Sequence, residues 1–205
     1  ARINDAVAPQ PVPFLVQSKG CNPRLTGSPA KVLLTYGSCD RPGDLYTHFQ
    51  TSRRIEGQLI TASTISDPFV VLEIDEPLIG DWSVVPEGNL FTVIWTNKTG
   101  ETVLNAGGEP AVFGVFDIHR SVIDSVEPRA VSSDILASGT DSQEAPVASS
   151  NGTTMMTIFI DIKRSYTSGD SQKIGAVISH GAAARRTQLT RTPAHQETPD
   201  IAATA

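Results

Sequence analysis

The chain has 205 residues and a formal charge of −6, from 16 Lys and Arg against 22 Asp and Glu, and its sequence pI is near 5.1. This balance argues against a whole-surface attraction to nucleic acid or to an anionic membrane, and no window approaches the roughly 18 consecutive apolar residues of a bilayer span. A hydrophobic fraction of 39% supplies material for a core, and the length suits one domain with arms.

Residues 1–30 carry Pro9, Pro11, Pro13, Pro23 and Pro29, with Phe14, Leu15 and Val16 as their apolar cluster. Such a composition buries too little to offset about 1–2 kcal/mol of backbone entropy per ordered residue. An extended N-terminal arm held by a neighbouring subunit is the expectation. The start at Ala1 is read as release from a precursor or trimming of a secretion signal. Cys21 and Cys39 leave two options open, one bridge at the base of the arm or two reduced thiols.

The middle of the chain reads as strands. Lys31–Tyr36 is a short apolar run ended by Gly37, and Asp44 is placed to cap a helix over Leu45–Arg54. Glu56–Thr64 is rich in Ile, Thr and Leu; Phe69–Ile74 follows Asp67-Pro68 and has apolar residues on both faces, the pattern of a strand buried between layers. In Leu90–Leu104, Phe91, Val93 and Trp95 alternate with Thr92, Ile94 and Thr96, and Asn97-Lys98-Thr99-Gly100 predicts a hairpin turn with Gly100 left-handed. Three more strands are predicted at Ala111–Ile118, Met155–Lys163 and Lys173–Ser179; in the second, Met156, Ile158, Ile160 and Ile162 share one face. Residues 127–153, with Pro128, Pro146 and many Ser, Ala and Asp, read as a long loop. Residues 183–205 show no periodicity and read as a C-terminal arm. The fold class expected is all-β: a single jelly-roll-like β-sandwich over residues 31–182 with extended N- and C-terminal arms.

Chemistry-bearing residues are few. Asp117, His119 and Ser121 hold the ingredients of a nucleophilic triad, but side chains two apart on a strand sit nearly 7 Å from each other, and a triad needs successive hydrogen bonds. A polar outward face is the better reading. Asp67, Glu73, Asp75, Glu76 and Asp81 gather near one sheet end without a calcium loop and read as a solvated acidic rim. His48, His119, His180 and His195 are scattered and lack zinc-site spacing. Gly107-Gly108 and Gly114 lack the Gly-Lys-Ser/Thr of a phosphate loop. Arg185, Arg186 and Arg191, like Arg53 and Arg54, make locally basic stretches; weak RNA contact through the first three competes there with subunit salt bridges and plain solvation. Trp95 reads as core, whereas Trp82 is open to a ligand-binding role. Asn97-Lys98-Thr99 and Asn151-Gly152-Thr153 are sequons in turn-like contexts, relevant if the chain is secreted. No catalytic, cofactor-binding or metal-ligating residue is assigned, and the chain is not expected to be an enzyme.

A β-sandwich with a Pro-rich leading arm, an Arg/Thr/Ala trailing arm and long loops resembles the capsid subunits of small non-enveloped viruses. The resemblance implies a jelly-roll shell unit, arms that cross to neighbouring subunits, and a virion location with copies of itself or other capsid subunits as partners. The strongly basic run that many such arms use to hold genome is not present here, and a protrusion or decoration protein fits the acidic balance equally well. The alternative from another class is a secreted, extracellular adhesion or carbohydrate-binding module, with Trp82 and loop tips gripping a host receptor or glycan.

Overall fold

The computed structural model describes residues 20–27, 31–38, 54–74, 82–104, 111–165, 171–180, 183–190 and 201. They form twelve strands: β1 (Gly20–Gly27), β2 (Val32–Ser38), β3 (Arg54–Ile60), β4 (Phe69–Glu73), β5 (Trp82–Glu87), β6 (Leu90–Leu104), β7 (Ala111–Asp124), β8 (Arg129–Ala137), β9 (Ser142–Ser150), β10 (Thr154–Lys163), β11 (Ser171–His180) and β12 (Ala183–Gln188). The strands build three four-stranded antiparallel sheets, β1–β4, β5–β8 and β9–β12, and each strand pairs with its neighbour in sequence. The chain is therefore all-β, as its alternation implies, but it is not a single two-sheet sandwich. Consecutive pairing also differs from the two Greek keys of a jelly roll.

Alternation along β6 explains the layering. Phe91, Val93 and Trp95 project to one side with Trp82 of β5 and Ile123 of β7, and meet Leu33, Ile55, Leu59 and Val71 of the first sheet. Ile94 projects to the other side with Val85, Ile118 and Ala137, and meets Met155, Phe159 and Val177 of the third sheet. The β5–β8 sheet is thus the middle layer, and all six residues from Phe91 to Thr96 are buried. Polar ties cross both seams. Trp82 Nε1 donates to Thr35 Oγ1 at 2.9 Å toward the first sheet, and Ala148 N donates to Ser83 Oγ at 3.1 Å from the third. On β10 the alternation is as expected; Ile158, Ile160 and Ile162 lie on the face opposite Phe159, and all three are buried.

Several local expectations need correction. No hairpin turns at Asn97–Gly100: β6 continues through it with a bulge between Lys98 and Gly100 and pairs with β7 along its length. Long-range pairing overrides the Asn/Gly preference. Gly100 is not left-handed; among the described glycines only Gly88 (φ 62°) and Gly152 (φ 89°) are. Gly88-Asn89 makes the tight β5–β6 turn instead, with glycine first as a type II′ turn requires. Residues 127–153 are not a long loop but hold β8 and β9. Pro128 lies in the turn before β8, and Pro146 sits in a bulge of an edge strand, where its missing N–H breaks no ladder bond. Parts of both arms are strands, β1 within 1–30 and β12 within 183–205. Of the helix expected over Leu45–Arg54, Arg54 opens β3 and the rest lies outside the described residues.

The seam under β10 and β11 is tight at one point. A Cβ at Gly175 would come within 2.5 Å of Cε2 and 2.6 Å of Cζ of Phe159, whose ring is fully buried and cannot give way. At Gly100 a Cβ would meet only Val115, at 3.9 Å. Gly175→Ala should therefore destabilise by about 1–3 kcal/mol through overpacking, and Gly100→Ala should stay within about 0.5 kcal/mol. Chemical denaturation of the two variants beside the parent checks both.

Candidate assembly surface

Among the described residues the three sheets have six edge strands, β1, β4, β5, β8, β9 and β12. An open edge presents unpaired N–H and C=O groups to any passing strand, and folded proteins blunt such edges with short length, charge, proline or bulges. β4 is only five residues long, and β12 carries Arg185 and Arg186 side by side. In β1 and β9 a bulge places a left-handed residue directly before a proline, Asn22 (φ 48°) before Pro23 and Ala145 (φ 51°) before Pro146. A residue preceding proline avoids this conformation unless its surroundings impose it. β5 contains Pro86 and runs beside both bulged strands. Its Trp82 carbonyl accepts from Arg24 Nε at 3.3 Å, and the same guanidinium lies 5.9 Å over the Trp82 ring. A cleft of about 330 Å³ remains here, walled by Leu25, Val84, Pro146 and Val147.

β8 is built differently. Arg129 to Ile135 are exposed at seven consecutive positions, whereas a strand with one buried face alternates. Its side chains are therefore uncovered on both faces from Arg129 to Ile135, although β4 of the first sheet runs near the strand. It contains no Pro and no Lys, and Val131 and Ile135 are 47% and 57% exposed. Asp134 does not guard the edge as a free charge. Arg120 holds it in a fork, Nε to Oδ1 at 2.9 Å and Nη2 to Oδ2 at 2.6 Å, a bidentate geometry that neutralises the carboxylate against β7. Extra residues in β8 at Val131 and Leu136 set off Ser132–Ile135 as its regular stretch.

The residues singled out from sequence fall as follows. Asp117, His119 and Ser121 do share one face of β7, but that face turns inward: Asp117 and Ser121 are buried. The polar outward face is thus overturned, because these positions pair with Asn97, Trp95 and Val93 on the side covered by the first sheet. No triad forms. Ser121 Oγ accepts from Trp95 Nε1 at 3.2 Å and contacts Ser133 Oγ at 3.4 Å, while Asp117 Oδ1 and His119 Nε2 have no hydrogen-bond partner among the described residues. Trp95 is core, as expected, and stacks on His119 with ring centroids 4.8 Å apart. Trp82 is core as well, only 3% exposed.

Asp67 and Glu73 are exposed, and Asp75, Glu76 and Asp81 lie outside the described residues. Among the described residues no three His, Cys, Asp or Glu side chains are grouped to hold a metal, and no helix is long and apolar enough to cross a membrane. His180 is exposed on β11, while His48 and His195 lie outside the described residues, as do Arg53, Arg191, Gly107, Gly108 and Cys39. Arg54 pairs with Glu56 at 3.1 Å. Arg185 is exposed, but Arg186 is committed within the chain: its Nη2 lies 3.0 Å from Asp161 Oδ2 and its guanidinium 5.4 Å over the Phe159 ring. Asn151 occupies an exposed turn in which its Oδ1 accepts from the Thr153 and Thr154 amides. Asn97 instead sits half-buried within β6.

Sequence reasoning missed β8, and a signal was available. From Arg129 to Ala137 there is no Gly or Pro, and apolar residues recur through Ala130, Val131, Ile135 and Leu136. The flanking prolines drew attention away from it. No family model matches this chain, and neither a curated protein nor a solved structure matches it.

Burial holds the His119 imidazole below its ordinary value of 6.5, with Asp117 and Asp134 pulling upward. As pH falls through that ordinary value, the unfolded chain takes up the proton first, so stability drops until the folded pKa is reached and then levels. Between about pH 7 and about pH 5 the parent should therefore lose more thermal stability than His119→Gln does. Parallel melting curves of the two proteins across that range test this.

Proposed function

We propose that this chain is a structural subunit that works by associating with other chains through an open sheet edge, in the class of capsid surface or decoration proteins. The observation that carries the reading is β8, an edge of the central sheet that is exposed at seven consecutive positions, contains neither proline nor lysine, and has its one carboxylate held by Arg120. Unpaired backbone on a stable sheet is a binding surface that requires no chemistry beyond hydrogen bonds and alternate side-chain contacts. The consecutive meanders move the reading away from a jelly-roll shell unit and toward a protrusion or decoration role on a virion. The competing reading, a secreted adhesion or carbohydrate-binding module gripping its ligand with Trp82 and loop tips, loses its aromatic contact. That indole is buried and its N–H is already donated to Thr35.

Sedimentation equilibrium over a concentration series tests the proposal. Species heavier than the 21.8 kDa protomer are expected, and Ile135→Lys should reduce their share. Because Ile135 is an exposed residue, the lysine variant should keep the parent's stability within about 0.5 kcal/mol. A 21.8 kDa species alone at every concentration would remove the basis for an assembly role.

A further inference from the structure

The assembly reading leaves the partner of β8 open, and the order of residues along the strand identifies it. We infer that β8 pairs antiparallel with β8 of a second copy of this chain, about a two-fold axis through Ser133. The inference rests on the assembly reading and names its partner.

An isologous contact requires that if residue i meets residue j, then j meets i. For two antiparallel strands this favours a sequence whose character reads alike in both directions. β8 does so about Ser133. Ser132 and Asp134 flank it as polar residues, Val131 and Ile135 follow as exposed aliphatics, and Ala130 and Leu136 extend the match. In this register each Val131 meets the partner copy's Ile135, so that four aliphatic side chains leave water together. Each Ser132 hydroxyl faces an Asp134 carboxylate across the seam, and no two like charges stand directly opposite. The Arg120 fork already holds Asp134 in one position, which fixes where that acceptor lies.

The regular backbone available for this pairing is short. Ser132–Ile135 is the stretch between two bulges, and Ser133 lies at its centre within one residue. Pairing would join two four-stranded central sheets into one continuous eight-stranded sheet and end the exposed edge on both copies. A strand-to-strand contact of this length is at the small end of interface sizes, so covalent trapping reads it better than mass alone.

The test uses the full chain with single cysteines introduced at exposed positions, oxidised under mild conditions, with tryptic mass spectrometry separating new disulfides from any at Cys21 or Cys39. Ser133→Cys should trap a dimer several-fold more efficiently than Ser63→Cys, which is exposed on the turn after β3 and outside the proposed seam. Val131→Cys and Ile135→Cys should each trap little alone and should trap a mixed dimer when combined. If the protein associates but Ser133→Cys traps no more than Ser63→Cys, the two-fold pairing is wrong and the assembly reading stands. Efficient trapping by Val131→Cys alone would overturn the register in the same way. If the parent sediments only as protomer and no variant is trapped, both the pairing and the assembly reading fall.

Discussion

Everything in this fold depends on a central antiparallel sheet that is buried on both faces. Antiparallel sheets commonly keep one face in water, and their strands then alternate apolar with polar. Here β6 must satisfy a layer on each side, so the six residues from Phe91 to Thr96 are all withdrawn from solvent. The two faces are not equal. Toward the first sheet the middle layer presents two indoles and a phenyl ring with Val93 and Ile123; toward the third it presents the smaller Val85, Ile94, Ile118 and Ala137, met by Met155, Phe159 and Val177.

Burial on both faces gives the hydrogen bonds of several middle-layer polar groups their weight, although Asp117 Oδ1 and His119 Nε2 find no partner among the described residues. The Trp82 and Trp95 indole N–H groups donate to Thr35 and Ser121, and Thr92 donates to Glu87 at 2.6 Å. A buried donor left alone costs about 1–3 kcal/mol, so each hydroxyl is as much part of the packing as the ring it serves. His119 stands at the margin of this arrangement. Its ring is packed on Trp95, and the low proton affinity that follows from burial is the electrostatic counterpart of that packing.

How much was readable from sequence depended on whether the signal was local. Strand character at Phe69–Ile74, at Met155–Lys163 and along Leu90–Thr96 is written in the period of apolar residues and survives in the structure. Phe69–Ile74 is not buried between layers as its pattern implied, however, because β4 is an edge strand of the outer first sheet and Val70 is exposed. The number of layers is not written there. A strand apolar on both faces states that it is covered twice, but not by which elements, so two sheets and three sheets share one pattern. Asn97–Gly100 misled because a turn motif is a weak local preference, and β7 offers a long ladder of hydrogen bonds against it. Pro146 misled for the opposite reason: a proline is expected to end a strand, but an edge strand with a bulge accommodates it. The open edge at β8 was hardest to see, since exposure is a property of what does not lie nearby.

The consecutive order of the sheets has a consequence for how the chain is made. Each layer is a contiguous stretch, the first complete at Glu73, the second at Ala137 and the third at Gln188. The first two can meet through Trp82, Phe91 and Trp95 while the remainder is still being synthesised. Until Met155, Phe159 and Val177 arrive, Val85, Ile94 and Ile118 lack the side chains that cover them in the finished molecule. A nascent chain that has emerged only as far as Ala137 therefore presents a fully built sheet with a dry face turned to water. Transiently uncovered apolar surface of this kind is prone to aggregation.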